Sequence, residues 1–145
     1  MTESTERNLR NIGLLALRLG IGGMFVFWHG WDKISHGTAK WEEVGGAMAF
    51  LGVTFYPVFW GLVASLTEFV GGLCIMLGLF FRPACAFLAF TMIVAVNLHY
   101  HVPRMRPMIS YPIEIGIVVL SLLIIGPGDW ALGKLLWGRK KTPRA

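Results

Sequence analysis

Four apolar runs, at about 11–28, 57–81, 83–98 and 109–126, constrain this chain more than any other feature. Each is near or above the roughly 18 residues that read as a transmembrane helix. Of the 145 residues, 55% are hydrophobic and 14% charged, with mean hydropathy +0.62. An average soluble domain is roughly 45–50% apolar and 25% charged, and a soluble fold this short could not bury the difference. In hydrocarbon each span must satisfy its own backbone N–H and C=O groups, which makes these runs helices. The sequence thus predicts an all-α fold, a polytopic membrane four-helix bundle forming a single integral membrane domain over 1–145. Its spans are expected at about 11–31, 57–81, 83–100 and 109–126. The first run follows Arg7 and Arg10, as a signal peptide would, but ends in Phe27, Trp28 and His29 without a small-x-small cleavage pattern. It is expected to be retained.

The connections carry their own signals. Arg82-Pro83 predicts a very short turn with Pro opening a helix, Pro103 and Pro107 bracket a loop, and Gly126-Pro127-Gly128 ends the fourth span. Between the first two spans, Glu42 and Glu43 precede an apolar stretch too short to cross, which predicts a short interfacial or re-entrant helix near 41–51. No internal repeat is visible. Arg7, Arg10, Arg82, Lys134, Arg139, Lys140, Lys141 and Arg144 fall on one side, against Lys33, Lys40, Arg104 and Arg106 on the other. The positive-inside rule then places both termini, including a basic tail over 129–145, in the cytoplasm. Most of the excess behind the net charge of +5 sits in that tail, beside an anionic leaflet. The partner it implies is the lipid bilayer, not nucleic acid.

Polar residues within the spans point to a site. Arg18, Glu68 and Glu114 interrupt apolar runs, where a charge costs roughly 2.5–3.5 kcal/mol unless paired or wet. Counted from the cytoplasmic ends at about 1.5 Å per residue, Arg18 lies roughly 13 Å in and the two glutamates roughly 18 Å in. All three are expected to meet near the midplane. One arginine cannot neutralise two carboxylates, so the surplus acid invites a proton, a ligand or Lys33. Arg18, Gly22, Phe25 and His29 follow i, i+4, i+7, i+11 and share a helix face. Ala64, Glu68 and Gly72 make a small-charged-small stripe of the kind that lets helices approach. His99 and His101 close the third span on the same outer side as His29 and His36, with Asn97 on the face of His101. The reading is a polar column from the outer mouth to mid-membrane; its plain structural counterpart is a buried Arg–carboxylate lock. Trp28 and Trp31 are ordinary interfacial anchors.

Cys74 and Cys85 both lie toward the cytoplasmic side without a C-x-x-C spacing, and read as small buried apolar residues rather than a redox pair. The H-x-H at 99–101 leaves zinc, copper or haem open, but no acidic or Cys partner stands at a diagnostic spacing, so no metal ligand is assigned.

Arg18, the segment His29-Gly30-Trp31-Asp32-Lys33, the run Glu68 to Gly72 leading into Leu77 to Pro83, Glu114, and the closing Gly126-Pro127-Gly128 resemble the DoxX family of small four-helix membrane proteins. The resemblance covers nearly the whole chain. It implies a bacterial or archaeal inner-membrane protein, in a family some of whose members accompany thiosulfate:quinone oxidoreductase or quinol oxidase complexes. It also implies that Arg18, Gly30, Lys33, Glu68, Gly72, Arg82 and Glu114 match recurring positions. The function expected is quinone-linked redox chemistry, with Arg18, Lys33, Glu68 and Glu114 as catalytic residues and His29, Asn97, His99 and His101 around the quinone. No G-x-G-x-x-G fingerprint is present, so electrons would come from a partner redox subunit; a homo-oligomer is also open. The alternatives are a non-enzymatic assembly subunit and a small-molecule transporter.

Overall fold

The computed structural model describes residues 2–138. Helix α1 runs over Glu3–Ser35, 33 residues, or about 50 Å at 1.5 Å per residue. That exceeds a hydrocarbon core of about 30 Å, so its charged first turns, with Glu3, Glu6, Arg7 and Arg10, lie outside the apolar slab. Helix α2 (Gly37–Gly45) and a 3-10 turn (Gly46–Leu51) lead to α3 (Pro57–Leu77) and α4 (Phe81–His101). A second 3-10 turn (Arg106–Met108) precedes α5 (Ser110–Ile125), and α6 (Leu132–Trp137) follows. Four of these helices are long and apolar enough to cross a membrane. Over the described residues the fold is therefore all-helical with four candidate spans and a short extra helix, as expected. The first turns of α1, the Gly78–Phe80 turn and α6 share one end of the bundle, here called the terminal end; residues 31–56 and 99–109 form the other, the histidine end.

Three boundaries differ from the sequence reading. The turn between the second and third spans falls at Gly78–Phe80, ahead of Arg82-Pro83. Gly78 takes φ 72° as the cap of α3, a conformation that costs glycine little, and Pro83 then sits in the first turn of α4, where its missing N–H is harmless. The short helix expected near 41–51 starts instead at Gly37 and tightens to 3-10 at Gly46. It is held by close backbone contact: a Cβ on Gly45 would lie 1.7 Å from the Pro57 carbonyl oxygen, and one on Gly61 would lie 1.7 Å from that of Trp41. The third difference is α6, which forms within the expected basic tail. The remainder of that tail, with Arg139, Lys140, Lys141 and Arg144, lies outside the described residues.

In lipid, helices associate through close packing more than through hydrophobic burial. Here α1 packs on α3, α3 on α4 and α4 on α5, while α1 has little or no close backbone contact with α4 and α5. The α1–α3 contact is made by the small residues the stripe predicts: a Cβ on Gly22 would stand 2.7 Å from the Gly72 carbonyl oxygen. The core of Leu14, Phe25, Ile75, Cys85, Leu88, Val119 and Leu122 fills the terminal half. The histidine half is less densely filled, and that is where the site lies.

Candidate functional site

A cavity of about 720 Å³ occupies the histidine half, bounded by His29 and Lys33 of α1, Lys40 and Val44 of α2, Trp60 and Glu68 of α3, Thr91 and His99 of α4, and Tyr111 and Glu114 of α5. Its focus is an ion pair. Lys33 Nζ donates to both carboxylate oxygens of Glu68 at 2.5 Å, with the two side chains 20% and 5% exposed. Local sequence explains how a residue near the end of α1 reaches the middle of α3. Phe25–Gly30 form a π-helical segment, whose wider turn rotates everything beyond it relative to α-helical phase. Gly30 then lets α1 approach so closely that a Cβ there would meet Phe69 Cα at 2.6 Å. The Trp41 indole N–H donates to the Lys33 carbonyl at 2.9 Å, tying α2 to the same turn.

His99 Nδ1–H donates to the Ala95 carbonyl at 2.7 Å, which leaves Nε2 as an acceptor in the neutral ring. The His29 ring lies 5.6 Å from that of Phe25. Glu114 is exposed and makes no ion pair among the described residues. Trp60 keeps a buried indole N–H without an acceptor. The side chains at the cavity thus offer donors, an acceptor and carboxyl groups against walls that include Met24, Phe25, Phe90 and Ile115.

Of the expected site residues, His29, Lys33, Glu68, His99 and Glu114 border this cavity, and Arg18, Asn97 and His101 do not. The expected meeting of Arg18 with the carboxylates does not occur. Arg18 is 2% exposed and turns to the terminal end, where Nη2 donates to the Trp130 carbonyl at 3.1 Å. Its Nη1 packs against Gly78 at the C-terminal cap of α3, where the helix dipole favours a cation, while Nε and Nη1 have no hydrogen-bond partner. Rise per residue locates a Cα but not the tip of a long side chain, and Lys33 supplies the charge that Glu68 requires. Asn97 donates back to the Ile93 carbonyl at 2.9 Å. His101 stacks on Phe50 at 4.9 Å. Sequence reasoning passes over Trp60, Thr91, Tyr111 and the Lys40–Glu43 pair, bonded at 2.9 Å; only that pair leaves a signal, its i, i+3 spacing.

A second polar cluster closes the terminal end. Asn11 Nδ2 donates to Asp129 at 3.1 Å, the Asp129 amide donates to Asn11 Oδ1 at 3.0 Å, and Lys134 Nζ lies 2.7 Å from the same carboxylate. Hydrogen bonds from Lys134 and then Asn11 hold the Asp129 carboxyl below its ordinary range. Cys74 and Cys85 are both free. Among the described residues no group of three or more His, Cys, Asp or Glu is placed to hold a metal ion.

Four candidate spans around a part-polar cavity define a small polytopic membrane protein. The chain belongs to the DoxX family, whose model matches residues 13–101. It is also similar to the inner membrane protein YqjF of Escherichia coli (strain K12), with 30% identity over 137 residues, covering 90% of this chain and 96% of that protein. No solved structure matches. The family match takes in Lys33, Glu68 and His99; Glu114 lies beyond its end.

Proposed function

We propose that this protein is an inner-membrane, quinone-linked redox protein, or the quinone-binding subunit of a membrane oxidoreductase complex, and that the cavity at the histidine end holds the quinone head. One observation carries the reading: a 720 Å³ space with hydrogen-bonding and ionisable side chains and apolar walls, inside the bundle and not in a soluble domain. A quinone head needs donors to its carbonyl oxygens, a proton route and an apolar slot for its tail. Lys33, fixed by Glu68, and the imidazoles of His29 and His99 are suited to holding the oxygens. The unpartnered Trp60 N–H beside the cavity fits a head rich in acceptors.

A bound quinone would supply a two-electron, two-proton carrier, with the electrons coming from a partner redox subunit. The protein's part is positioning and proton movement. Lys33 presents positive charge where an oxygen would gain electron density, His99 Nε2 can accept or hand on a proton, and Glu114 and Glu68 extend that route. The location follows the relative's inner-membrane assignment, and the cytoplasmic placement of both termini follows the positive charge on their side.

The test is to purify the protein in mild detergent and analyse what accompanies it by mass spectrometry and absorbance. A benzoquinone or naphthoquinone near one per chain, depleted several-fold in His29→Ala/His99→Ala, is the expected result. A quinone-free preparation that also fails to bind added decyl-benzoquinone would overturn the reading.

A further inference from the structure

We infer that the cavity is reached sideways from the bilayer, through the gap between α1 and the α4–α5 pair, by an amphipath whose head carries no net negative charge. Three observations combine. First, α1 is packed against α3 but not closely against the backbones of α4 or α5, so one flank of the bundle lacks a helix–helix seam. Cavity-lining side chains on both sides of that gap are open to the surroundings: Met24 is 49% exposed, Phe87 63% and Tyr111 64%. Apolar and aromatic groups at an opening within the spans face lipid tails, not water.

Second, the short segment between the first two spans is fastened down. Gly45 against Pro57, Gly61 against Trp41, and the Trp41 N–H on the Lys33 carbonyl join α2 to α3 and α1 with no room for a side chain between backbones. A ligand using the aqueous side must pass this clamped segment and the charged groups of Asp32, Lys40 and Glu43; one using the flank passes Met24, Phe87 and Tyr111, whose exposed side chains can change rotamer. Third, the lining carries Lys33 and Lys40 against Asp32, Glu43, Glu68 and Glu114. With Lys33 already held by Glu68 and Lys40 by Glu43, an anionic head would face surplus carboxylate and, among the described lining residues, no lysine without a carboxylate partner. A neutral head, or a cation, meets no such repulsion.

The inference deepens the quinone reading by fixing route and charge class, but the route stands whatever the head group is. It can be tested on the full chain in lipid nanodiscs with two photolabels, a bilayer-partitioned trifluoromethyl-phenyl-diazirine and a charged, membrane-impermeant diazirine. Labelling of the interior positions Ala64, Thr67, Thr91 and Ala95 is read by mass spectrometry. It is normalised to lipid-facing Ile117 and Ile124 for the first probe and to Ser35 for the second. Lateral access predicts several-fold higher normalised interior labelling by the lipophilic probe; equal labelling, or more by the charged probe, overturns it. Decyl-benzoquinone, decanol and decyl sulfate are then added as competitors. Suppression by a neutral competitor at about one tenth of the concentration needed for decyl sulfate supports the charge class, and equal potency or a lead for decyl sulfate contradicts it. If decanol competes and decyl-benzoquinone does not, the quinone reading fails while the lateral route stands.

Discussion

Two cations of α1, Arg18 at its middle and Lys33 near its C-terminal end, answer different needs. Lys33 meets Glu68 in a setting where the carboxylate side chain is 5% exposed, and removing one partner of a buried pair costs about 3–5 kcal/mol because the other charge is stranded. Lys33→Met should therefore lower the melting temperature in detergent, and adding Glu68→Gln should recover part of the loss. Arg18→Leu should also destabilise, since it releases the Trp130 carbonyl and the end of α3. In a double-mutant cycle with Glu68→Gln, however, Arg18 should show coupling within about 0.5 kcal/mol of zero, as expected of sites without shared partners. A strong Arg18–Glu68 coupling would contradict the structure. Asp129 supplies the pH dependence. Its carboxyl is held below its ordinary value, chiefly by the Lys134 and Asn11 hydrogen bonds. The stabilisation is thus present above the unfolded-state value and lost as pH falls through the lower folded-state value. The melting difference between parent and Asp129→Asn should be constant near neutral pH and shrink as pH drops below about 4.

Among the elements, glycine contacts make the bundle. Gly22→Ala and Gly45→Ala force a side chain into backbone and should each cost about 1–3 kcal/mol, whereas Gly23, with nothing within 4 Å, should tolerate alanine or gain about 0.5–1 kcal/mol from better helix propensity. Equal melting temperatures for Gly22→Ala and Gly23→Ala would show that α1 and α3 do not meet as described. The spans and the Gly126 stop are legible in the sequence because hydropathy and glycine are local signals. The α3–α4 turn is displaced because Gly78 competes with Pro83 as terminator, and either is locally acceptable. Helix α6 escapes notice because six residues beside a run of charge carry no periodic signal. Within the site, Glu68 and Lys33 are readable as charges in apolar surroundings, but their pairing is not. It depends on the π-helical turn at Phe25–Gly30, and nothing in that apolar segment marks it against a plain α-helix.

The whole bundle has a packed terminal half and a hollow histidine half, and the proposed site lies in the latter. The proposed topology puts residues 32–56 and 99–108 outside and both termini in the cytoplasm. Single cysteines at Ser4 and Ser35, in a background with Cys74 and Cys85 replaced by alanine, should label from opposite faces of sealed vesicles; labelling of both from one face would reject it. The central claim, that the cavity around Lys33 and Glu68 is a binding site, is tested most directly by titrating decyl-benzoquinone into the parent and into His29→Ala, His99→Ala and His36→Ala. Among the described residues His36 bonds within its own turn, to Asp32 and Ser35, and it serves as the control. Loss of a hydrogen-bonding partner of about 1–2 kcal/mol weakens binding roughly 5- to 30-fold. A binding site there gives that weakening in one or both cavity variants with His36→Ala unchanged; affinity equal across all four folded proteins would contradict it.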